Sequence, residues 1–477
     1  MLHCKQRQIW ARRPDQTVIQ TLLDYYRLPT ESLARISQSA DSSSDIGYFQ
    51  FGTNNICYGR SQSGVSPDVA GSSAFDVFKE VRSDSSGTIQ LPFSFAEVVQ
   101  NLRMERYRQK GTGGLELFAE SEPVRMLYYM VRKGLPFRVR RQLQKIYFGD
   151  WRHLQFPTWP VDFTVDNLHE QLLRLLIEAS GGTRMPFIWF WPDGAPNALI
   201  LTHDVETSAG RDFTFNLMDL DDSFGFKASY QVIPEKRYQV RDEYVFGIRN
   251  RGCEFNIHDL NHDGHLYRER TEFERRAAGI NGYLKRYHTN GFRAGAMYRK
   301  QDWYDVFEFS YDMSVPNVAH LEPLRGGCCT VMPYFIGKIV ELPLTTTQDY
   351  SLFHILDDYS IDLWKLQLDL IRKRNGLMSL LTHPDYLIEP RARGVYASFL
   401  GYLQRMIAHE KIWAALPGEV DRWWRARNAM KLVPSGDTWE IVGAGKERAR
   451  LAYAVLENGR LSYRVQNAPD GHPRPTE

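Results

Sequence analysis

The sequence predicts an α/β protein with a mainly parallel sheet or barrel over residues 198–420, and three observations carry that reading. Short apolar runs of strand length recur at Leu199–Leu201, Ala228–Val232, Glu254–Ile257, Ile339–Leu342 and Leu377–Leu381. Segments of helical period separate them near 270–286, 361–373 and 394–409, the alternation expected of strand–helix–strand units. Chemically reactive side chains recur just past the strand ends, where a parallel architecture exposes functional loops on a rigid base.

At 477 residues the chain exceeds one ordinary domain. Hydrophobic content of 43% with 24% charged residues describes a globular protein with ample core material. The 59 basic and 57 acidic side chains leave a net charge of +2, which supplies no global field for nucleic acid or a membrane surface. No run approaches the roughly 20 apolar residues of a membrane helix. The opening M-L-H-C-K-Q-R-Q-I-W-A-R-R-P has no apolar stretch behind its basic residues and does not read as a secretory signal, so a cytoplasmic location is expected. Five cysteines lack C-x-x-C spacing, and adjacent Cys328 and Cys329 read as small buried residues.

Three parts are expected: 1–190, an N-terminal α/β region of unassigned role; 191–425, the catalytic barrel; and 426–477, a small C-terminal β appendage with a tail. In the first part, Ile19, Leu22, Leu23 and Tyr26 have helical spacing, strands are expected at Ile46–Phe51 and Ile56–Tyr58, and Ser94 with Glu97 forms a capping box. Arg132, Lys133, Arg138, Arg140, Arg141 and Lys145 lie among aromatics; interrupted by Gly134 and Pro136, they read as a solvated surface, one that could meet an anionic carrier at a membrane face. Leu168–Ala179 is an amphipathic helix closed by Gly181-Gly182, and the aromatic, turn-rich Trp189–Asn197 leads into the central strand. In the last part, Trp439–Val442, Leu451–Val455 and Leu461–Val465 read as strands, with a hairpin turn at Glu457–Arg460.

The run A-L-I-L-T-H-D-V-E ends its apolar strand on His203, Asp204 and Glu206. After the strand at 254–257 comes H-D-L-N-H-D-G, with His258 and His262 four apart and His265 a weaker candidate. One helical turn, or a strand-to-helix corner, lets both imidazoles reach one cation, and a carboxylate would complete a two-histidine, one-carboxylate set. F-R-A-G-A-M-Y, Y-D-M-S-V-P, V-E-L-P and L-L-T-H-P-D follow in order.

This succession, from Leu199 to Asp385, resembles the polysaccharide deacetylase family, carbohydrate esterase family 4. The resemblance implies a distorted (β/α) barrel of the polysaccharide deacetylase type. The family's first motif, T-F-D-D-G, corresponds to T-H-D-V-E: Asp204 falls at the base position, and Val205 falls where the family has its acidic metal ligand. A D-x-E variation moves that role to Glu206. The second motif, H-[ST]-x-x-H, matches His258 and His262, with Asp259 replacing the hydroxyl residue. The third, R-x-P, matches Arg293, with Gly295 in place of proline. The fourth, D-x-S-x-P, matches Asp312, Ser314 and Pro316, and the fifth places the catalytic histidine at His383.

The implied chemistry is a metal-dependent hydrolase acting on a carbon–nitrogen bond other than a peptide bond, removing an acetyl group, N-linked in the first reading, from a sugar or polysaccharide precursor. Glu206, His258 and His262 would hold a divalent ion, zinc being the common one in the family. Asp204 would be the base, Arg293 would orient it, His383 would be the general acid, and Asp312 would pair with His383. Without a recognised secretion signal, the expected carbohydrate substrate is a lipid-linked or nucleotide-linked precursor, unless the protein leaves the cell by another route. The alternatives are hydrolysis of another non-peptide C–N bond on the same fold, or a catalytically silent carbohydrate-binding protein.

Overall fold

The computed structural model describes residues 18–30, 36–38, 45–53, 55–83, 88–108 and 147–466. The basic segment at 132–145 and the last residues of the tail lie outside them.

The N-terminal part begins with α1 (Val18–Tyr26) and runs through β1 (Ile36–Gln38), β2 (Gly47–Gln50), β3 (Ile56–Gly59), β4 (Arg82–Ser83) and β5 (Ile89–Leu91) to α2 (Phe95–Arg103), α3 (Thr164–Ala179) and β6 (Arg184–Ile188). β2 and β3 form a hairpin, and β5 pairs with both β1 and β4. Ser94 caps α2 by accepting the Glu97 N–H at 3.3 Å, the serine half of the expected capping box, while the Glu97 carboxylate pairs with Arg60 Nη1.

The barrel follows with β7 (Ala198–Val205), α4 (Ser208–Ser223), β8 (Ser229–Val232), α5 (Asp242–Asn250), β9 (Glu254–His258), α6 (Arg270–Arg286), β10 (Gly291–Arg293), β11 (Tyr311–Asp312), β12 (Tyr334–Ile336), β13 (Ile339–Glu341), α7 (Asp362–Arg372), β14 (Leu377–Thr382), α8 (Pro390–Glu410) and β15 (Trp413–Ala414). Their order in the sheet is β12-β13-β11-β10-β9-β8-β7-β14, with β15 also beside β7. All pairings are parallel except β12 with β13.

The backbone ladder does not close the circle, and side chains span the gap. Beyond β13, Thr345 Oγ1 donates to Leu377 O and accepts from Ser379 N, each at 2.8 Å, and Thr346 Oγ1 donates to Ser379 O at 2.9 Å. Threonine hydroxyls thus satisfy backbone groups of β14 that a neighbouring strand would otherwise pair. This is a distorted (β/α) barrel.

The C-terminal part comprises α9 (Pro417–Ala429), β16 (Lys431–Ser435), β17 (Thr438–Val442), β18 (Leu451–Glu457) and β19 (Arg460–Val465). β18 pairs antiparallel with β19 and, on its other edge, with β6. Arg427 on α9 is buried with no carboxylate partner among the described residues; its guanidinium donates to the carbonyls of Trp189 at 2.9 Å, Ile188 at 2.8 Å and Tyr25 at 2.9 Å and lies over Phe190 and Trp424. One hydrophobic cluster consequently runs from Val18 through Trp191 to Val455, while a second fills the layer between the barrel strands and their helices. Cys57, Cys253, Cys328 and Cys329 are buried thiols, and burial raises the thiols of the adjacent pair. Among the described residues no helix is long and apolar enough to cross a membrane.

Candidate active site

The alternation of a strand puts both acids of D-x-E on one side. Every residue of β7 is buried, and successive side chains face opposite sides. Leu199, Leu201 and Val205 join the cluster beneath the helices, so Thr202, Asp204 and, one step past the strand, Glu206 continue the barrel-facing row. Val205 occupies the outward parity, where a ligand would be useless. His203 shares that outward parity, its Nδ1 2.8 Å from Thr382 Oγ1 and its Nε2 3.0 Å from Asp221 Oδ2, and is structural.

Parity delivers the other side chains in the same way. His258 ends β9 and Arg293 ends β10, and the two are register partners. The Arg293 guanidinium, fully buried, donates through Nη1 to Asp204 Oδ1 at 2.8 Å and to Thr202 Oγ1 at 2.9 Å, and through Nε to Met313 O at 2.9 Å. Burial raises the Asp204 carboxyl, but Arg293, His258 and His383 outweigh it and hold the group below the usual carboxylate value.

Glu206, His258 and His262 each offer a ligand atom within 4.8 Å of the others. His258 Nδ1 faces Arg293 O at 3.1 Å, which selects the tautomer with a lone pair on Nε2. Among the described residues, the Nε2 atoms of both His258 and His262 are buried without a hydrogen-bond partner; that of His262 stands 3.1 Å from Glu206 Oε1, near in distance but outside hydrogen-bond geometry. Two orphaned imidazole nitrogens facing a carboxylate are costly unless something electrophilic satisfies them, and the donor set fits a divalent ion. Burial lowers the His258 imidazole to about 4 against the pull of Asp204, so it is neutral at physiological pH, as a ligand must be. For Glu206, His262 and then His383 and His258 outweigh the raising effect of burial and hold its carboxyl well below the usual value. His265 lies outside this group, its Nδ1 3.8 Å from Asp263 Oδ2.

His383, just past β14, presents Nε2 3.9 Å from Glu206 Oε1. Its partner is not Asp312. Asp349 Oδ1 lies 2.6 Å from His383 Nδ1, and Asp349 Oδ2 accepts the His383 N–H at 2.7 Å. Asp312 is the register partner of Phe292, whose ring lies in the outer cluster, so its side chain leaves the barrel on the same side. There it accepts from Tyr304 Oη at 2.8 Å and Ser314 Oγ at 2.5 Å, and burial raises its carboxyl beside Glu341. Asp349 follows three threonines in T-T-T-Q-D, a stretch with no periodicity to mark it; its neighbourhood to the barrel-closing Thr345 and Thr346 is visible only in three dimensions.

Two residues from separate loops, Asp259 and Gly295, meet in space. A Cβ at position 295 would come 2.6 Å from Asp259 Oδ2 and 2.9 Å from His262 Cδ2, so with an aspartate at 259 only glycine fits at 295. Gly295→Ala is expected to press on the His262 ring and weaken divalent-ion affinity about tenfold or more, with part of the loss recovered by adding Asp259→Ser; metal titration by calorimetry reads both. A further acid, Asp385, secures the start of the loop after β7: its Oδ2 accepts the Glu206 N–H at 3.0 Å, and its Oδ1 accepts from Thr207 Oγ1.

No family model and no curated protein matches this chain. Solved structures do. A Mycobacterium smegmatis protein assigned to the polysaccharide deacetylases is 18% identical, with 52% of this chain and 96% of that one covered and a TM-score of 0.42. The allantoinase Puue is 13% identical over 50% of this chain and 92% of its own, with a TM-score of 0.40. A Pseudomonas aeruginosa PAO1 protein, also assigned to the polysaccharide deacetylases, is 14% identical over 49% of this chain and 93% of its own, with a TM-score of 0.40.

Proposed function

We propose that this protein is a metal-dependent hydrolase that removes an acetyl group from a sugar-containing substrate, most directly from an amide nitrogen. The observation that carries the reading is the placement of three metal-type ligands, Glu206, His258 and His262, within 4.8 Å of one another between an ionised carboxylate and a protonated imidazole. A divalent cation bound there, zinc being the usual choice for such donors, supplies Lewis-acid polarisation of the acetyl oxygen and of the attacking water.

The chain's own groups do the rest. Asp204, ionised and held by Arg293, takes the proton of the water that attacks the acetyl carbon. The backbone of the turn at Gly295–Ala296, packed against His262, is where we place the donor to the developing oxyanion. For His383, Asp349 and then Glu206 and Asp204 overcome the lowering effect of burial and push the imidazole up to about 10. It therefore carries a proton at neutral pH and can give it to the departing nitrogen as the C–N bond breaks, leaving acetate and a free amine. Asp349 and Arg293 act through their partners and are positioning residues.

Two measurements test this. Metal-stripped protein reloaded with zinc is expected to bind about one equivalent, lost in the His258→Ala, His262→Ala double variant, and the loaded protein is expected to release acetate from acetylated chito-oligosaccharides. Absence of binding overturns the metal-dependent reading, and binding without acetate release from any acetylated sugar overturns the deacetylase reading.

A further inference from the structure

The turn from Ala294 to Arg299 is conformationally expensive. Ala296 and Met297 both adopt left-handed backbone with φ 53°, which non-glycine residues keep only where surrounding groups over-determine it. Gly295 lies against the ring of His262, and the Ala294 N–H is held by Ser314 Oγ at 2.8 Å. Met297 packs with Leu344 and Leu381, the latter two residues before His383. The far end of the turn is secured by Arg299, whose Nη1 donates to Met297 O at 2.8 Å and to Leu324 O at 3.3 Å.

What fixes Arg299 comes from the N-terminal part. Glu105, just beyond α2 and itself left-handed with φ 55°, accepts Arg299 Nε on Oε2 at 2.6 Å and Arg299 Nη2 on Oε1, while Oε1 also accepts the Gly327 N–H at 2.6 Å. Both side chains are 1% exposed. The approach requires glycine at position 326, where a Cβ would lie 2.7 Å from Glu105 Oε1. A bidentate carboxylate–guanidinium pair fixes orientation as well as distance, and burial removes the solvent that would let it slip.

We propose that Glu105 is a positioning residue for the reaction: acting through Arg299, it holds the Gly295–Met297 turn against His262 and so fixes the backbone that receives the oxyanion. This rests on the deacetylase reading above and gives the N-terminal part a role in catalysis.

Removing one partner of a buried pair strands the other charge, whereas removing both is often tolerated. The deciding variant is therefore the paired Glu105→Leu, Arg299→Met, with Glu105→Gln, which keeps the shape, as the second. In the paired variant, zinc affinity is expected to stay within about threefold of wild type and kcat for acetate release to fall about 30-fold with KM little changed, because the misplaced donor is felt only in the transition state. Hydrogen exchange at the Ala294 and Met297 amides is expected to quicken, with Glu105→Gln intermediate. A folded paired variant with wild-type kcat overturns the proposal, as does loss of kcat in step with zinc affinity. If the paired variant does not fold, Glu105→Gln decides by the same criteria. Should wild-type protein bind zinc yet release no acetate, the function reading fails by itself, and exchange rates unchanged in the variants then overturn the positioning role.

Discussion

Asp204→Asn is expected to cut acetate release about 10³-fold while zinc stays bound, because the amide cannot take the water's proton yet Glu206, His258 and His262 keep their places. The same substitution should cost stability. Arg293 is 0% exposed, and removing its carboxylate leaves a buried guanidinium whose remaining acceptors are Thr202 Oγ1 and Met313 O. Breaking such a pair costs about 3–5 kcal/mol, and the two surviving acceptors place this case toward the lower end. Activity therefore has to be read well below the melting midpoint, with zinc content measured on the same sample. The sign with pH follows from the depressed carboxyl: the stabilisation is present above the ordinary carboxylate pKa of about 3.9 and is lost as pH falls through the lower folded value. Activity near wild type in a zinc-loaded Asp204→Asn protein would exclude this carboxylate as the base.

How far the sequence discloses this architecture depends on strand length. β7 and β14 each carry an apolar run, and β8 and β9 alternate apolar with polar residues over four and five positions. β10 and β11 have three and two residues and hide inside F-R-A-G and Y-D-M-S, where chemistry rather than hydrophobicity dominates the pattern. At the site, Asp204, Glu206, His258, His262, Arg293 and His383 all converge, since strand parity and motif spacing encode the same geometry. Asp312 diverges, because its motif specifies a turn, held by Ser314, and not the side of the sheet on which the carboxylate emerges. Asp349 and Glu105 were not legible at all. One lies in a loop ordered by the closure of the barrel, and the other comes from a segment 194 residues away from Arg299 in the chain, so neither has a local periodic signal.

The pH dependence of turnover offers the sharpest test of the acid. With His383 pushed up to about 10, kcat/KM in the wild type is expected to hold across neutral pH and to fall as pH rises through that value, when the imidazolium loses its proton. Asp349 is the largest of the raising influences. In Asp349→Asn the carboxylate is gone and burial, which lowers the imidazole, is less opposed, so the alkaline limb should move down toward or below the ordinary histidine value of about 6.5. At pH 8 the fraction of His383 still protonated would then be about one in 30, and activity should drop by about that factor, while at pH 5.5 the variant should approach wild type. His383→Ala should be slow at every pH. The stability carried by this pair runs the same way: fully present below about pH 6.5 and lost as pH rises through about 10, so the wild-type melting midpoint should decline on the alkaline side where that of Asp349→Asn does not. A variant whose alkaline limb stays near 10 would place the general acid elsewhere, however close His383 lies to Glu206.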